Sequence, residues 1–172
     1  MSSGKMDEVR NTSFQKDEFK ALPDLVKDEL EKHRQLYLTD PEAAHYWDPI
    51  VIGTPGGPVQ TLLLHHTGRK SGRELNTALE YYRFKGKIAI VASRGGTEEN
   101  PAWYLNLLAN PNCRIQVGKN GSTAVARTVS AEERPEWWAH VTSKQAAQIE
   151  YQSRTNRQIP VVVLELPEGV VL

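Results

Sequence analysis

The sequence predicts a mainly β (α+β) protein, built as a small, partly open barrel of about six strands with flanking helices. Short apolar runs separated by glycine-containing turns are typical of strands. Helical patterns occur between some of the strands but not after each one, which argues against a doubly wound parallel sheet. A chain of 172 residues is long enough for one domain with a hydrophobic core and leaves little room for two.

The N-terminal part is predicted to be a polar extension over residues 1–22, followed by the barrel domain over residues 23–172. An amphipathic helix opens this domain, and Pro23 fits its first turn. The apolar stripe of the helix consists of Leu25, Val26, Leu30, Leu36 and Tyr37. Three surfaces are candidates for docking it: the barrel, a second subunit and a membrane. We expect the barrel, because lipid-binding helices are usually more basic.

Strands are expected where apolar or β-branched residues follow one another between turn signals. The predicted strands cover residues 59–66, 75–84, 87–93, 113–117, 122–129 and 159–166. Lys85-Gly86 forms a tight turn between the second and third strands, and the residues at 118–121 close a hairpin. The last strand is apolar along most of its length, which predicts a central position in the sheet.

Helices are predicted between the third and fourth strands and before the last strand. Asn100 can cap the first of these helices, and Pro101 fits its first turn. In the second, Ser130 precedes Glu133 by three residues, which is the capping-box pattern. The large apolar side chains of these two helices are Trp103, Leu107, Leu108, Trp137 and Trp138.

Composition and charge exclude several classes of partner. Lys and Arg together number 21, as do Asp and Glu, so no net field favours nucleic acid. No apolar run reaches the roughly 20 residues that span a bilayer. Cys113 is the only cysteine, so an internal disulfide is excluded and a reducing compartment is expected. We therefore expect a cytoplasmic protein.

Residue types that serve in catalysis and metal binding do not form a known pattern in this sequence. The five histidines lack the spacing of metal ligands, so no metal is expected. Cys113 has no CxxC partner, which favours a buried, inert thiol. The sequence lacks a Walker loop, a GxGxxG fingerprint and a GxSxG elbow, which argues against nucleoside triphosphates, Rossmann-type dinucleotide binding and serine hydrolysis.

A basic, glycine-containing turn after the first strand is a candidate anion site. Arg69, Lys70 and Arg73 lie in this turn together with Ser71. Glycines allow backbone N–H groups to converge on an anion, and arginine forms forked contacts with phosphate or carboxylate. A solvated hairpin turn would have a similar composition. The residues alone leave both interpretations open.

A second candidate lies where the third strand ends. Ser93 and Arg94 are followed by two glycines and then by the start of a helix. Helix N-termini favour anions and electron-rich oxygens. Trp103 would either lie against a flat ring or belong to the core, and the core is the commoner role of a single tryptophan.

Four segments together resemble a known family. They are LLLHHTGRKSG at 62–72, VASRGG at 91–96, NPAWYLNLLANP at 100–111 and YQSRTNRQIP at 151–160, with weaker matches at 38–40 and 45–47. In this order they resemble the deazaflavin-dependent nitroreductase family of actinobacteria, part of the F420-dependent oxidoreductases. The resemblance covers residues 59–166. It implies a split β-barrel that binds coenzyme F420, a cofactor with a flat deazaflavin ring, a phosphodiester and an oligoglutamate tail.

The resemblance also implies which residues form the site. Arg69, Lys70 and Ser71 are expected to hold the phosphate and tail. The other implied cofactor-binding residues are Leu75, Asn76, Thr77, Ala78, Leu79, Glu80, Val91, Ala92, Ser93, Arg94, Ala102, Trp103, Tyr104, Leu105, Asn106 and Tyr151. Ser93 and Tyr151 are the candidate catalytic groups, which would polarise the acceptor or supply a proton, with water as the competing proton source. Gln148 and Tyr151 are expected to contact the substrate.

This sequence departs from the family pattern at three of these positions. Many relatives have arginine where Leu75 stands and proline where Ala78 stands. Loss of that arginine could weaken tail binding, although Arg73 is a nearby substitute. Gln148 replaces a frequent tyrosine, so the wall of the substrate pocket differs. We therefore do not expect nitroreductase activity.

Three functions remain open. The leading one is hydride transfer from reduced F420 to a quinone or a conjugated carbonyl compound. The alternatives are a non-catalytic protein that binds or stores F420 and a barrel protein that binds FMN or haem. The expected partner is a small organic acceptor, with no nucleic acid, and the chain is expected to be a monomer or a homodimer. Peripheral contact with the inner face of the cell membrane is a further option.

Overall fold

The computed structural model describes residues 22–172, so the predicted extension over residues 1–22 lies almost wholly outside the described residues. The helices are α1 (Asp24–Thr39), α2 (Pro41–Ala44), α3 (Ala102–Ala109), α4 (Arg134–Lys144) and α5 (Ala147–Ser153). The strands are β1 (Tyr46–Trp47), β2 (Val59–Thr67), β3 (Glu74–Glu80), β4 (Tyr82–Phe84), β5 (Lys87–Val91), β6 (Asn112–Val117), β7 (Asn120–Thr128) and β8 (Val161–Glu165). Short 3₁₀ turns follow β1 and β5, at Pro49–Ile52 and Arg94–Gly96.

The strands form one curled antiparallel sheet. Its order is β1-β2-β6-β7-β8-β5-β4, with β3 pairing to β2. Strands β3 and β4 therefore lie at opposite ends of the pairing order although only Tyr81 separates them in the chain. Because this one residue joins the two ends, the sheet must curl back on itself. The mainly β split barrel with flanking helices is confirmed.

Alternating side chains explain why the central strands form. In β5, Ile88 and Ile90 point into the barrel core, while Ala89 and Val91 pack on the opposite face. Strand β8 alternates in the same way, and its outer face packs with Trp137 of α4. Strand β8 pairs with β5 on one side and with β7 on the other, and its side chains are buried on both faces of the sheet. The predicted central position is therefore confirmed.

Helix α1 docks on the outside of the barrel, as predicted. The buried side chains of the helix are Val26, His33 and Tyr37. The Tyr37 hydroxyl donates to the Thr61 carbonyl oxygen and accepts from the Gly118 N–H, both at 2.9 Å. The prediction that Leu36 belongs to this face was wrong. Its side chain is 39% exposed, because it is turned about 100° around the helix from Tyr37.

Other helix predictions met with mixed outcomes. The reciprocal hydrogen bonds of the capping box are confirmed, because Ser130 N–H donates to Glu133 at 3.1 Å and Glu133 N–H donates to Ser130 Oγ at 3.2 Å. They close the turn before α4, whose N-cap is Glu133 and not Ser130. The prediction for Asn100 was wrong, since Pro101 is the N-cap of α3. Leu108, one of the large apolar side chains named for this helix, is 60% exposed.

Two boundaries also differ from the predictions. Residues 75–84 form two strands instead of one, because the chain turns at Tyr81 to close the barrel. Pro23 precedes α1 as its N-cap and does not lie in its first turn. The polar segment between α4 and β8 contains a separate helix, α5, which the sequence analysis did not distinguish from α4.

The fold also settles the environment of the single cysteine. Cys113 is buried, as predicted, and burial raises the pKa of its thiol to about 11. Within residues 22–172, no three His, Cys, Asp or Glu side chains are grouped as metal ligands would be. No helix of the same range combines the length and the apolar composition needed to cross a bilayer.

A close backbone contact predicts that Gly96→Ala destabilises the fold. A Cβ at Gly96 would lie 2.3 Å from the Tyr151 carbonyl oxygen, and the residue has a φ of 83°. Gly86 is the matched control, because its φ is 73° but a Cβ there would meet no atom of the described chain within 4 Å. Gly86→Ala should cost about 1–2 kcal/mol through backbone conformation alone. Thermal unfolding should show a clearly larger loss for Gly96→Ala, and equal losses would contradict this packing.

Candidate active site

A cleft of about 980 Å³ lies on the outside of the barrel, between α1, β3, the end of β5, the start of α3 and α5. Its size falls within the range of small-molecule and cofactor sites. The residues implied by the resemblance that line it are Leu75, Asn76, Thr77, Ala78, Leu79, Glu80, Val91, Ser93, Arg94, Ala102, Trp103, Asn106, Gln148 and Tyr151. The fold thus brings β3, the turn after β5 and two helices to one cavity.

Six other implied residues lie outside the lining of the cleft. They are Arg69, Lys70, Ser71, Ala92, Tyr104 and Leu105. Ala92 is fully buried in the barrel core, and the Tyr104 hydroxyl pairs with Thr128 at 2.9 Å. Arg69, Lys70 and Ser71 are exposed on the turn between β2 and β3. This turn lies next to the cleft, because it contacts a residue of its wall.

Asn106 connects the basic turn to the cleft. Its side-chain oxygen accepts from the Arg69 backbone N–H at 3.1 Å and from the Arg69 guanidinium at 2.9 Å. Its amide nitrogen donates to His66 Nδ1 at 3.1 Å, and the other ring nitrogen of His66 donates to Thr77 at 3.2 Å. Burial lowers the pKa of His66 to about 4, so the ring is neutral and both contacts fit one tautomer. The cation on the turn is therefore held at a defined place beside the cavity.

Arg157 holds the turn after β5 in shape. Its guanidinium donates to the carbonyl oxygens of Ser93 at 2.7 Å, Ala92 at 3.0 Å and Thr97 at 3.0 Å. It also donates to Asn100 Oδ1 at 2.8 Å, immediately before α3. Sequence reasoning did not assign this role, although Arg157 lies in one of the family-like segments. Four acceptors from two turns meet at this side chain only in the folded chain.

The α5 side of the cleft carries Tyr151, one of the two candidate catalytic residues. Its hydroxyl pairs with Thr54 at 3.0 Å, and the Arg154 guanidinium lies 5.3 Å from the centre of its ring. Burial raises the pKa of Tyr151, so the phenol is protonated at neutral pH. Ser93, the other candidate, is buried in the lining of the same cleft. Both can therefore meet one ligand.

A cluster of polar side chains lies next to Tyr151. Gln148 Nε2 donates to the Tyr82 hydroxyl at 3.3 Å. Gln145 Nε2 lies 3.5 Å from the Glu80 carboxylate. Burial raises the pKa of Glu80 to about 7, and Gln145 and Tyr82 oppose this rise to a smaller extent. The Oε1 atom of Gln148 is buried and has no hydrogen-bond partner among residues 22–172.

Helix α1 forms a wall of the cleft that the sequence analysis did not anticipate. Val26, Lys27, Leu30 and Arg34 line the cavity from this side. Arg34 donates to Asn76 Oδ1 at 2.6 Å and so ties the helix to β3. The amphipathic pattern identified the helix, but no local signal shows which surface lies beside it.

These contacts predict that Arg157 is needed for the stability of the turn. In Arg157→Met, the carbonyl oxygens of Ala92, Ser93 and Thr97 lose a charged donor, and stability should fall by about 3 kcal/mol. Arg114→Met is the control, because Arg114 is exposed and pairs with Glu74 on the surface, where such a pair contributes little. Urea unfolding measures both variants, and an unchanged midpoint for Arg157→Met would contradict the assigned role.

Comparison with known proteins shows which family this chain resembles. A family model described as F420H(2)-dependent quinone reductase matches residues 48–166, more than half of the chain. A curated relative from Mycobacterium tuberculosis, named F420H(2)-dependent quinone reductase, is 43% identical over 114 residues, covering 64% of this chain and 75% of the relative. The resemblance that the sequence motifs indicated is confirmed.

Two solved structures share the fold. One, described as an F420-H2 dependent reductase, has a TM-score of 0.56 and 38% identity over 61% of this chain and 93% of its own. Another, described as a domain-swapped dimer, has a TM-score of 0.59 and 31% identity over 81% of this chain and 98% of its own. On the family match and on the geometry of the cleft, this chain belongs to the F420H(2)-dependent quinone reductase family.

Proposed function

We propose that this chain binds reduced coenzyme F420 in the cleft and uses it to reduce a quinone or a conjugated carbonyl compound. The observation that carries the proposal is the arrangement of the cleft, with a fixed cation beside one wall and a cluster of proton-bearing groups at another. When bound, the reduced deazaflavin supplies a hydride, which carries two electrons. Membership of the quinone reductase family supports the same assignment.

The basic turn is proposed to hold the acidic end of the cofactor. Arg69 is oriented by Asn106, and Lys70 and Ser71 are exposed beside it. A guanidinium can bind phosphate or carboxylate with two parallel hydrogen bonds, and a lysine adds a point charge. Leu75 supplies no charge where many relatives have arginine, so Arg73, two residues before it, is proposed to compensate.

The ring of the cofactor is proposed to lie against Val91, Ala102 and the backbone that follows Ser93. The N-terminus of α3 faces the cleft through its N-cap Pro101 and through Ala102, and helix N-termini carry N–H groups without a partner in the helix. These donors suit the carbonyl oxygens of a deazaflavin ring. Trp103 is only 6% exposed and packs edge-on against Tyr104, so it serves mainly as the rigid support of this wall.

The protein's part in the reaction is to orient, to exclude water and to manage the proton. Apolar side chains from α1 and β3 shield the cleft, and fixed orientation of two reactants lowers the barrier to hydride transfer. Tyr151 and Ser93 are proposed to polarise the acceptor carbonyl through hydrogen bonds. Arg157 keeps Ser93 at its place in the wall, because it binds the carbonyl oxygen of that residue.

Two wider expectations stay predictions. A cytoplasmic protein with peripheral membrane contact would meet lipid-soluble quinones directly, and Leu36 and Leu38 are exposed on α1, at 39% and 47%. The chain is a proposed monomer or homodimer, and one similar structure is described as a domain-swapped dimer. Neither expectation is needed for cofactor binding in the cleft.

Cofactor binding is tested by titrating the protein with F420 and following the coenzyme's fluorescence. Arg69→Gln should weaken binding by about ten- to a hundredfold, since a charge-assisted contact contributes about 1.5–3 kcal/mol. Lys119→Gln is the control, because Lys119 is exposed on the β6–β7 turn, away from the cleft. The deazaflavin fragment that lacks the phosphodiester and glutamates should bind both variants equally. Equal affinity of wild type, Arg69→Gln and Lys119→Gln for F420 would contradict the role of the basic turn.

Turnover is tested by mixing the protein with reduced F420 and menadione and following the oxidation of the coenzyme. Oxidation that depends on the protein and saturates with menadione is the expected result. Tight F420 binding without oxidation across a panel of quinones and enones would instead favour a storage protein. Displacement of F420 by FMN would favour a flavin-binding barrel.

A further inference from the structure

We propose that Glu80 donates the proton that the reduced acceptor takes up, and that Gln148 accepts a hydrogen bond from the hydroxyl group so formed. The proposal rests on the reductase function proposed above and assigns a residue pair to its proton transfer. It gives Glu80 a role different from simple lining of the cofactor groove, and it makes Gln148 a recognition group for the reduced acceptor.

Geometry is the first reason. Glu80, Tyr82, Gln148 and Tyr151 all line the cleft, from β3, β4 and α5. Gln148 Nε2 donates to the Tyr82 hydroxyl at 3.3 Å, and Tyr82 lies two residues after Glu80 in the chain. Because Glu80, Tyr82 and Gln148 line the same cavity, the acceptor carbonyl is placed where it would meet both Glu80 and Gln148.

The unpartnered oxygen of Gln148 is the second reason. Gln148 is only 5% exposed, and its Oε1 atom has no hydrogen-bond partner among residues 22–172. A buried amide oxygen without a donor is costly, so a ligand with an O–H or N–H group at this place gains free energy by binding. A quinone brings only acceptors, whereas the hydroquinone brings hydroxyl groups. The residue thus favours the reduced form of the acceptor.

The protonation state of Glu80 is the third reason. With a pKa of about 7, its carboxyl group is partly protonated at neutral pH and can both give and regain a proton. Tyr151 is a weaker acid, because burial raises its pKa and its hydroxyl already pairs with Thr54. A serine hydroxyl such as that of Ser93 is weaker still.

The other ionisable groups near the Glu80 carboxyl are not better proton donors. Tyr82 and Tyr151 are the ionisable groups that face it, and burial raises the pKa of both, so they are neutral at pH 7. Farther along α5, Glu150 and Arg154 form an ion pair of 2.9 Å. The charge of Glu80 therefore depends mainly on its own burial.

The step balances in atoms and electrons. The acceptor gains a hydride and its two electrons, and one of its carbonyl oxygens gains the Glu80 proton, so the carboxyl O–H bond breaks as the new hydroxyl forms. Glu80 then regains a proton from solvent. Oxidation of the reduced cofactor releases one proton besides the hydride. This proton replaces the one that Glu80 takes from solvent. The sum is one quinone reduced to hydroquinone for each cofactor oxidised.

The first experiment compares Glu80→Gln with wild type in turnover of menadione from pH 5.5 to 8.5. Wild-type kcat should fall as pH rises through about 7, because the carboxyl loses its proton. Glu80→Gln should lower kcat, measured at saturating F420, about 100-fold and remove this pH dependence. Glu136→Gln is the control, because Glu136 is exposed on α4 and pairs with Lys85. A Glu80→Gln variant with wild-type kcat and pH profile would overturn the proposal.

The second experiment needs no turnover. In protein labelled with ¹³C at the glutamate carboxyl groups, one resonance should titrate near pH 7 and be absent in Glu80→Gln. The folded state binds this proton more tightly than the unfolded state, so stability should fall as pH rises from about 4.5 to 7. Glu80→Gln should therefore raise the melting temperature at pH 8 and leave it unchanged at pH 5. A carboxyl that titrates near pH 4 would overturn the proposal.

The role of Gln148 is tested with two ligands that differ in one donor. 1-Naphthol should bind the protein about tenfold more tightly than 1-methoxynaphthalene, and Gln148→Leu should abolish the difference. Equal binding of the two ligands by wild type would overturn this part. The outcomes also separate the two proposals. If the wild-type protein binds F420 but shows no turnover, both the reductase function and this inference fail. If the wild-type protein turns over and Glu80→Gln has the same kcat and pH profile, only this inference fails.

Discussion

The cleft depends on the close contact between the turn after β5 and the segment around α5. Gly96 lies so near the Tyr151 carbonyl oxygen that a side chain would not fit, and Arg157 binds three carbonyl oxygens from the same region. Backbone at the end of a buried strand would otherwise leave polar groups without partners. One guanidinium satisfies them and at the same time sets the wall that carries Ser93 and faces Tyr151.

Neutral polar groups, more than charges, define the interior of this site. Burial keeps His66 and Tyr151 uncharged at pH 7 and brings the pKa of Glu80 to about neutrality. The cations stay at the surface, where Arg69 and Lys70 can meet an acidic ligand. A cofactor with a neutral ring and an acidic tail matches this division. The neutral ring can be buried at little cost, and the charged tail stays near solvent and the cations.

The acceptor side of the cleft is one of the places where this chain departs from the family pattern. Gln148 contributes an amide bonded to Tyr82, and Glu80 contributes a carboxyl group with a raised pKa, so this wall is polar and able to exchange protons. Such a wall favours acceptors that gain a hydroxyl group on reduction. Quinones and conjugated carbonyl compounds have this property, which is consistent with the family to which the chain belongs.

The sequence by itself determined most of the strands, the paired hydrogen bonds of Ser130 and Glu133, and the family, since these depend on local patterns: the apolar run in residues 159–166, the Ser130–Glu133 spacing and the glycine-containing segments around Arg69 and Arg94. Only the tertiary structure decided that Tyr81 joins the two ends of the sheet, that α1 forms a wall of the cleft, and that Arg157 gathers carbonyl oxygens from separate turns. The tertiary structure also decides the raised pKa of Glu80. Burial and long-range contacts arise from how distant segments pack, and no local pattern of residues carries that information.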